Sequence, residues 1–369
     1  MEITLEELRA MPAGSYVLVD TRGEGERAYG AIPGSVTVPE TPQPGVRYVL
    51  YCRRGLHSQQ LAEEWEAEGL DAVSLQGGYN GWLMDHLARQ EQEEDDLCRR
   101  VEDSLRRRFR KSIWSQFTKA LRQYQLIRPN DRIAVCLSGG KDSMLLAKLF
   151  QELHQHTAVP FEMEFLCMDP GYSPENRRLI EDNARRLGVP LHIFESDIFD
   201  SVFHVEKNPC YLCARMRRGH LYEQARRLGC NKIALGHHYD DVIETTLMGM
   251  LYGAQIQGMM PKLKSTNFAG MELIRPLYLV REDDIKKWRD ANGLRFLQCA
   301  CRFTDTCSVF DDNEETRSKR QETKRLIKQL KKTNPDVEAR IFRSLENVNL
   351  DTVIGWKTKG KKHSFLEEY

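Results

Sequence analysis

The sequence predicts an α/β protein built from two successive strand–helix units, and three observations predict it. Near the start, the apolar runs Tyr16-Val-Leu-Val19 and Tyr48-Val-Leu-Tyr51 read as buried strands, each ending at a charged or cysteine-bearing loop. A second alternation begins at Ile133-Ala-Val-Cys-Leu137 and continues with strands at 161–168, 191–194 and 232–235, with helices between them. Alternation over that length implies a parallel sheet covered on both faces. Between the two units, residues 90–125 are charged, helical in pattern and free of glycine and proline, which suits a helical linker or lead-in better than a flexible tether.

The remaining elements follow in order. Residues 1–14 read as a short strand and helix, and 58–70 have helical spacing that stops at a glycine. The last fifty or so residues form a charged helical segment with a lysine-rich tail. The expected organisation is a small α/β domain at 1–88, a helical linker or lead-in at 89–125, a larger α/β domain at 126–310 and the charged segment at 311–369. No internal repeat is visible.

At 369 residues the chain can hold two or three domains, each with its own core. Charged residues make up 29% and hydrophobic ones 41%, an ordinary globular mix. No run approaches the roughly eighteen apolar residues of a membrane span. The first residues are acidic where a signal peptide starts basic, so a cytoplasmic location without a membrane partner is expected. Ten cysteines in a chain this long do not make a secreted disulfide framework. Cys210 and Cys213, then Cys299 and Cys301, fall in close pairs, and Cys307 follows. In a reducing compartment that clustering favours metal binding or thiol chemistry. Cys98, Cys136, Cys167 and Cys230 lie beside charged helices or in apolar strands and read as buried or incidental thiols. The 54 basic and 54 acidic residues cancel, so net charge says nothing about partners. Base nevertheless gathers at 106–108, 217–218, 319–332 and 357–362, and such stretches can form a nucleic-acid footprint as well as solvated helix faces.

Cys52 stands in Tyr51-Cys-Arg-Arg-Gly-Leu-His-Ser58, where a strand gives way to a helix. Successive backbone N–H groups, a helix N-terminus and neighbouring arginines stabilise a thiolate, and a negatively charged persulfide in the same way. Taken alone, a structural cysteine at a strand end explains it equally well. Asp20-Thr-Arg22, Gly30-Ala-Ile-Pro-Gly34 and Gly77-Gly-Tyr-Asn-Gly-Trp82 surround it in the order and spacing of a rhodanese domain, which residues 1–85 resemble. The resemblance implies that Cys52 accepts sulfane sulfur within the loop 52–57. Related folds with a longer loop act on phosphate or arsenate; the loop here has the length of the sulfur version.

Ser138-Gly139-Gly140-Lys141-Asp142-Ser143 follows an apolar strand and precedes an apolar helix. Two glycines let the backbone turn tightly so that N–H groups and the helix N-terminus face an anion, with Lys141 and the two serines as further donors. The G-x-x-x-x-G-K-[ST] loop is a different motif. Asp142 is costly inside an anion loop unless it holds Mg²⁺ or a fixed amide. The hexapeptide resembles the PP-loop of the ATP pyrophosphatase superfamily, which implies a Rossmann-like parallel sheet of the adenine nucleotide alpha hydrolase type. It also implies use of ATP to adenylate a carbonyl oxygen, with pyrophosphate released and AMP displaced by a nucleophile.

Cys210-Tyr-Leu-Cys213-Ala-Arg-Met-Arg-Arg-Gly219 and Leu235-Gly-His-His-Tyr-Asp-Asp241 narrow the resemblance to the tRNA 2-thiocytidine synthetase group, and Arg275-Pro-Leu277 and residues 281–285 continue it. On that resemblance Ser138, Gly139, Gly140, Lys141, Ser143 and His237 contact ATP, and Asp169 lies near the nucleotide at a strand end. Asp142 and Asp241 serve catalysis, with Asp241 holding Mg²⁺ beside Asp240.

Cys210-x-x-Cys213 by itself fits zinc, redox or iron–sulfur roles. The resemblance implies a [4Fe-4S] cluster held by three cysteines, two from this pair and one from a later pair, with the fourth iron open to a sulfur ligand. The later pair here is C-x-C rather than C-x-x-C. Counting from Phe296 makes Cys299 the third ligand; Cys301 competes for that place, and Cys307 stays open. Two catalytic thiols without a metal are the alternative.

Together these features point to an ATP-dependent tRNA sulfurtransferase. Cys52 takes sulfur from a cysteine desulfurase or other donor, ATP and Mg²⁺ activate a base carbonyl, and sulfur passes by way of the cluster to displace AMP. A base must leave its stack before its carbonyl can react. The tRNA substrate rests on resemblance, since no residue pattern reads a nucleotide. A lysidine-type tRNA ligase and a persulfide- or redox-responsive nucleotide-binding protein are the rivals. The tRNA position, the donor and a homodimer are left open. Anaerobically purified protein is expected to hold about four irons per chain. That iron should be lost in Cys210→Ala and in only one of Cys299→Ala and Cys301→Ala. Zinc or free thiols in its place would sink the cluster.

Overall fold

The computed structural model describes residues 1–196, 209–297, 319–358 and 360–367, with backbone alone for 209–215. The chain divides into two compact units, Met1–Asp96 and Leu97–Tyr369.

In the first unit, β1 (Glu2–Ile3), β2 (Val17–Asp20), β3 (Val36–Thr37), β4 (Arg47–Tyr51) and β5 (Asp71–Leu75) form a sheet in the order β1-β5-β4-β2-β3. Every pairing is parallel. Successive side chains of a strand point to opposite faces. Accordingly Val49 and Tyr51 enter one buried cluster while Tyr48 and Leu50 enter the other. The helix Leu56–Ala67 covers the second face with Ala62 and Trp65.

The second unit carries β6 (Asp131–Leu137), β7 (Phe161–Asp169), β8 (Leu191–Glu195), β9 (Lys232–Ala234), β10 (Lys262–Lys264) and β11 (Glu272–Ile274) in the order β10-β11-β9-β6-β7-β8. All pairings are parallel except that of the edge strand β10 with β11. β6 is buried on both faces: Ile133, Val135 and Leu137 enter one cluster, Ala134 and Cys136 the other. The chain adds β7 and β8 on one side of β6 and then returns to place β9 on its other side. The carboxyl ends of β6 and β9 therefore form the switch point at which open parallel sheets bind ligands.

The charged stretch before this sheet folds as the helix Gly78–Arg106, a π-helical turn Arg110–Trp114 and the helix Ser115–Gln123. The expected bound at 88 and the division at 96/97 both fall inside the first of these helices. Leu97, Val101, Leu105, Phe109, Ile113, Phe117 and Leu121 recur every fourth residue, and all are buried in the core of the second unit. That spacing keeps one apolar line facing inward, so from residue 97 onward these helices are core rather than linker. Near the other end, the helices Lys319–Thr333 and Val337–Ser344 send Ile327 and Phe342 into a cluster with Val242, Ile243 and Tyr278. The lysine-rich tail forms an antiparallel hairpin, β12 (Gly355–Thr358) with β13 (Lys361–Ser364). Trp356 stacks on His363 there, and Gly360 supplies a φ of 81°.

One buried charge ties the sheet together. Lys232 is 2% exposed; its Nζ lies 2.7 Å from Asp131 Oδ2 and donates to the Leu126 carbonyl at 2.8 Å. Removing one partner of a buried pair strands the other. Lys232→Ala is therefore expected to destabilise the protein by about 3–5 kcal/mol in chemical denaturation. Lys361→Ala on the exposed hairpin should stay within about 0.5 kcal/mol.

Candidate functional site

The first unit presents Cys52 at the carboxyl end of β4. Asp20, Arg22 and Tyr51 build the floor beneath it: Arg22 donates to both oxygens of Asp20 at 2.9 and 2.7 Å and to the Gly30 carbonyl at 2.8 Å. The Tyr51 hydroxyl donates to Asp20 Oδ2 at 2.8 Å and accepts from Ile32 N at 3.1 Å. These bonds give Asp20-Thr-Arg22 and residues 30–34 a scaffolding role. The cysteine loop is clamped from its other side by the start of the helix Gly78–Arg106, where Tyr79 N donates to the Cys52 carbonyl at 2.8 Å and Asn80 N to that of Arg53 at 3.1 Å. A Cβ at Gly78 would overlap the Cys52 carbonyl oxygen, and its φ of 57° is left-handed, so glycine is required there.

Gly55 N donates to Cys52 Sγ at 3.1 Å. Burial opposes the thiolate, but the Ser58 hydroxyl and the N–H groups of Ser58, Arg54 and Gly55 outweigh it and hold the pKa below the ordinary thiol value. Ser58 Oγ and Ser74 Oγ both reach the Gly55 carbonyl, at 3.1 and 3.2 Å, and lie 2.9 Å apart, which pins the start of the helix beside the sulfur. The other described thiols behave differently. Burial pushes Cys136 well above the ordinary range, Cys167 to about 12 and Cys230 to about 11.

In the second unit a cavity of about 520 Å³ opens at the carboxyl ends of β6, β7 and β9. Ser138, Asp142, Ser143, His237 and Asp241 line it, together with Arg217, Arg218, Arg275 and Tyr172. The loop 138–143 is stapled by one hydroxyl: Ser143 Oγ accepts from Ser138 N at 3.1 Å and donates to the Gly140 carbonyl at 2.9 Å. Gly140 caps the helix Lys141–His156 without a side-chain bond, so the first N–H groups of that helix stay open to an anion. Gly139 takes a φ of 78°, and a Cβ there would overlap Ile180. Gly236 admits the loop, since a Cβ on it would stand 3.2 Å from Ser143 N.

The acids differ in what they hold. Asp142 Oδ2 accepts from Lys141 Nζ at 3.0 Å, while its Oδ1 is buried without a hydrogen-bond partner, 3.9 Å from His238 Nε2. Asp241 Oδ2 accepts from His238 N at 3.0 Å and Oδ1 from Arg320 at 2.7 Å. Burial resists ionisation of Asp241, but His238 and Arg320 keep its pKa below the usual carboxylate value. Burial and the Arg275 charge push His237 down to about 4, so its imidazole is neutral at pH 7 with Nδ1 unpartnered. Burial and Arg218 lower Arg275 to about 10, which leaves it charged. Asp169 does not line the cavity. Its Oδ1 accepts from Gly171 N and Tyr172 N at 2.8 and 2.7 Å and its Oδ2 pairs with Arg177, so it shapes the turn that carries Tyr172.

Lys141 also reaches Glu282 Oε1 at 3.3 Å. Burial works against ionised Glu282, yet Lys324, Lys286 and Lys141 bring its pKa to about 2. Glu282, Arg275, Gly236 and His238 were not singled out by sequence reasoning as site residues. All four fell inside quoted motifs, but nothing marked them there as lying beside the loop or the cavity.

Among the described residues, no group of three or more His, Cys, Asp or Glu side chains stands ready to hold a metal ion. The unpartnered Asp142 Oδ1 is the atom best suited to Mg²⁺; Asp241 could join only by releasing Arg320. Cys210 and Cys213 fall in the first turns of the helix Pro209–Arg227, which later brings Arg217 and Arg218 to the cavity. Cys299, Cys301 and Cys307 lie outside the described residues. No described helix is long and apolar enough to cross a membrane.

A parallel sheet with this anion loop at its switch point defines the class, and comparison defines the family. Residues 109–302 match the PP-loop domain model and residues 4–85 the rhodanese-like domain model. The chain belongs to the PP-loop family, with a rhodanese-like domain preceding the PP-loop domain. A tRNA-cytidine(32) 2-sulfurtransferase of Syntrophotalea carbinolica is 36% identical over 253 residues, covering 67% of this chain and 92% of its own. The protein of that name from Alkalilimnicola ehrlichii is 37% identical over 235 residues, 62% of this chain and 70% of its own. Among solved structures, a U34-tRNA thiolase of Methanococcus maripaludis with its [4Fe-4S] cluster shares the fold. Its TM-score is 0.50 at 21% identity, covering 64% of this chain and 79% of that one.

Alkylation follows the thiolate, so the pH midpoint for Cys52 is expected below that of an ordinary thiol. Ser58→Ala removes a contact that favours the charged form. The midpoint should then rise and the rate at pH 7 fall, followed as iodoacetamide labelling of the Cys52 peptide by mass spectrometry. An unmoved midpoint would clear the hydroxyl of any role.

Proposed function

We propose that the protein is an ATP-dependent tRNA sulfurtransferase that replaces a base carbonyl oxygen with sulfur, as the names of its 36–37% identical relatives indicate. The observation that carries the reading is the loop 138–143, held by Ser143 with an uncapped helix start, opening into a cavity lined by three arginines. That combination suits a polyphosphate. Helix N–H groups and arginines neutralise the phosphates of ATP. The unpartnered Asp142 oxygen offers Mg²⁺ a ligand, and neutral His237 can donate or accept without adding charge.

Chemically, the base carbonyl oxygen attacks the α-phosphorus and pyrophosphate leaves. The outer sulfur of a persulfide then attacks the activated carbon and AMP departs with the original oxygen; a second thiol takes the inner sulfur as a disulfide, breaking the S–S bond and leaving the thiocarbonyl. Cys52 is the entrance for that sulfur: the N–H groups that favour its thiolate favour a persulfide equally. A cysteine desulfurase or another persulfide donor would load it, in a reducing cytoplasm. Cys210 and Cys213, with Cys299, Cys301 or Cys307, would supply the soft thiolates that suit a [4Fe-4S] cluster, whose open iron would offer a sulfur-binding position. Carrying both domains on one chain raises the local concentration of donor at acceptor.

The test is thiolation of unmodified tRNA by wild-type protein with ATP, Mg²⁺ and a sulfur donor, read as 2-thionucleoside by mass spectrometry with AMP counted in parallel. Asp142→Asn should slow the reaction about 100-fold. Cys52→Ala should block sulfur from a persulfide donor but spare free sulfide. AMP release without sulfur in the RNA would overturn the reading.

A further inference from the structure

The helix Lys319–Thr333 holds seven basic residues and one acid; Lys319 lies over the Tyr252 ring, and the other six bases sort onto two sides. Arg320, Lys324 and Lys331, spaced four and seven residues apart, share one stripe. Each meets an acid of the folded unit: Arg320 pairs with Asp241 at 2.7 Å, Lys324 with Glu282, and Lys331 with Glu338 at 2.6 Å. Thr323 and Ile327, both buried, mark this side as the packed one. Arg325, Lys328 and Lys332, spaced three and four residues apart, form a second stripe turned away from it. All three are exposed, and none has an acid within ion-pair distance among the described residues.

Local folding explains the inner stripe, since it neutralises acids that would otherwise repel one another. It does not explain the outer one. Three like charges on one helix face destabilise the helix slightly and gain nothing from the fold. Asp241 lines the cavity and Glu282 holds Lys141 of the nucleotide loop. The ion pairs of the inner stripe therefore fix the helix against the nucleotide site.

We propose that Arg325, Lys328 and Lys332 are the phosphate-docking face for the tRNA, held next to the cavity by the Arg320–Asp241 and Lys324–Glu282 pairs. This rests on the thiolation reading above and adds to it where the polymer is gripped. Spacing along one face matches a repeating backbone charge, and phosphate contacts position a nucleic acid without reading its sequence.

The test is tRNA binding by fluorescence anisotropy across a salt series, with full-length protein. The variant carries Arg325→Gln, Lys328→Gln and Lys332→Gln, residues that keep good helix propensity. A control carries Arg186→Gln, Arg226→Gln and Arg227→Gln, three exposed charges on other helices. The docking variant should lose at least about tenfold in affinity, and its slope of log K against log salt should shrink by roughly 2–3. The control should stay within about twofold, while ATP binding and Cys52 alkylation stay at wild-type level in both. If the docking variant binds tRNA as wild type does, and wild type thiolates tRNA, the face is not the dock and the thiolation reading stands. An equal loss in the control makes the effect one of net charge and overturns the proposal. Lost binding to phosphatidylserine vesicles with tRNA binding intact would give the face to a membrane, also overturning it. Wild-type protein that neither binds nor thiolates tRNA overturns both.

Discussion

The nucleotide loop depends on two strand ends approaching with no side chain between them. Gly236, after β9, is the surface on which the backbone of Asp142 and Ser143 rests, and Gly139 turns the loop where Ile180 leaves no room for a Cβ. If either contact opens, the helix Lys141–His156 no longer starts where β6 ends. Its free N–H groups then point elsewhere, and Arg275, on the segment after β11, no longer shares a cavity with them. The loop's chemistry is thus a consequence of backbone packing, with Ser143 fixing it by two hydrogen bonds.

Charge around that loop is almost fully committed, and the exceptions are informative. Lys141 is shared by Asp142 and Glu282, and Asp241 by His238 and Arg320. Among the described residues that line the cavity, the buried polar atoms without a hydrogen bond include one oxygen of Asp142, one nitrogen of His237 and Nε of Arg275. A buried polar atom without a partner is costly unless something arrives to satisfy it. Asp142, His237 and Arg275 line the cavity, where a ligand would supply the missing partners.

Much of this was legible beforehand, for reasons that particular residues make clear. Strands β4 and β6 are buried on both faces, so their apolar runs stood out without alternation. The loop 138–143 and the Cys52 loop announced themselves through glycines and nucleophiles in fixed spacing. Asp169 was read as lying near the nucleotide, yet its carboxylate is consumed by its own turn, which spacing cannot reveal. The residues from 97 to 121 looked charged on average, and the four-residue recurrence of their apolar line was hidden by that average. Arg275 and Glu282 were invisible as site residues because their position depends on how β11 and the helix Glu282–Ala291 fold back beside β9. The hairpin in the lysine-rich tail depends on a single Trp–His stack and a glycine turn, a signal too short to outweigh composition.

The burial of Cys136, Cys167 and Cys230 has a meaning beyond packing. A persulfide can pass its outer sulfur to any thiolate that reaches it, so on the proposed function a bystander thiolate would compete for the sulfur. Burial holds these three thiols protonated, and protonated sulfur is a poor nucleophile. Cys136 lines the cavity itself, where a stray acceptor would do most harm. The fold thereby ranks these sulfur atoms by ionisation, with the Cys52 thiol the more readily ionised and the thiol beside the nucleotide loop held protonated.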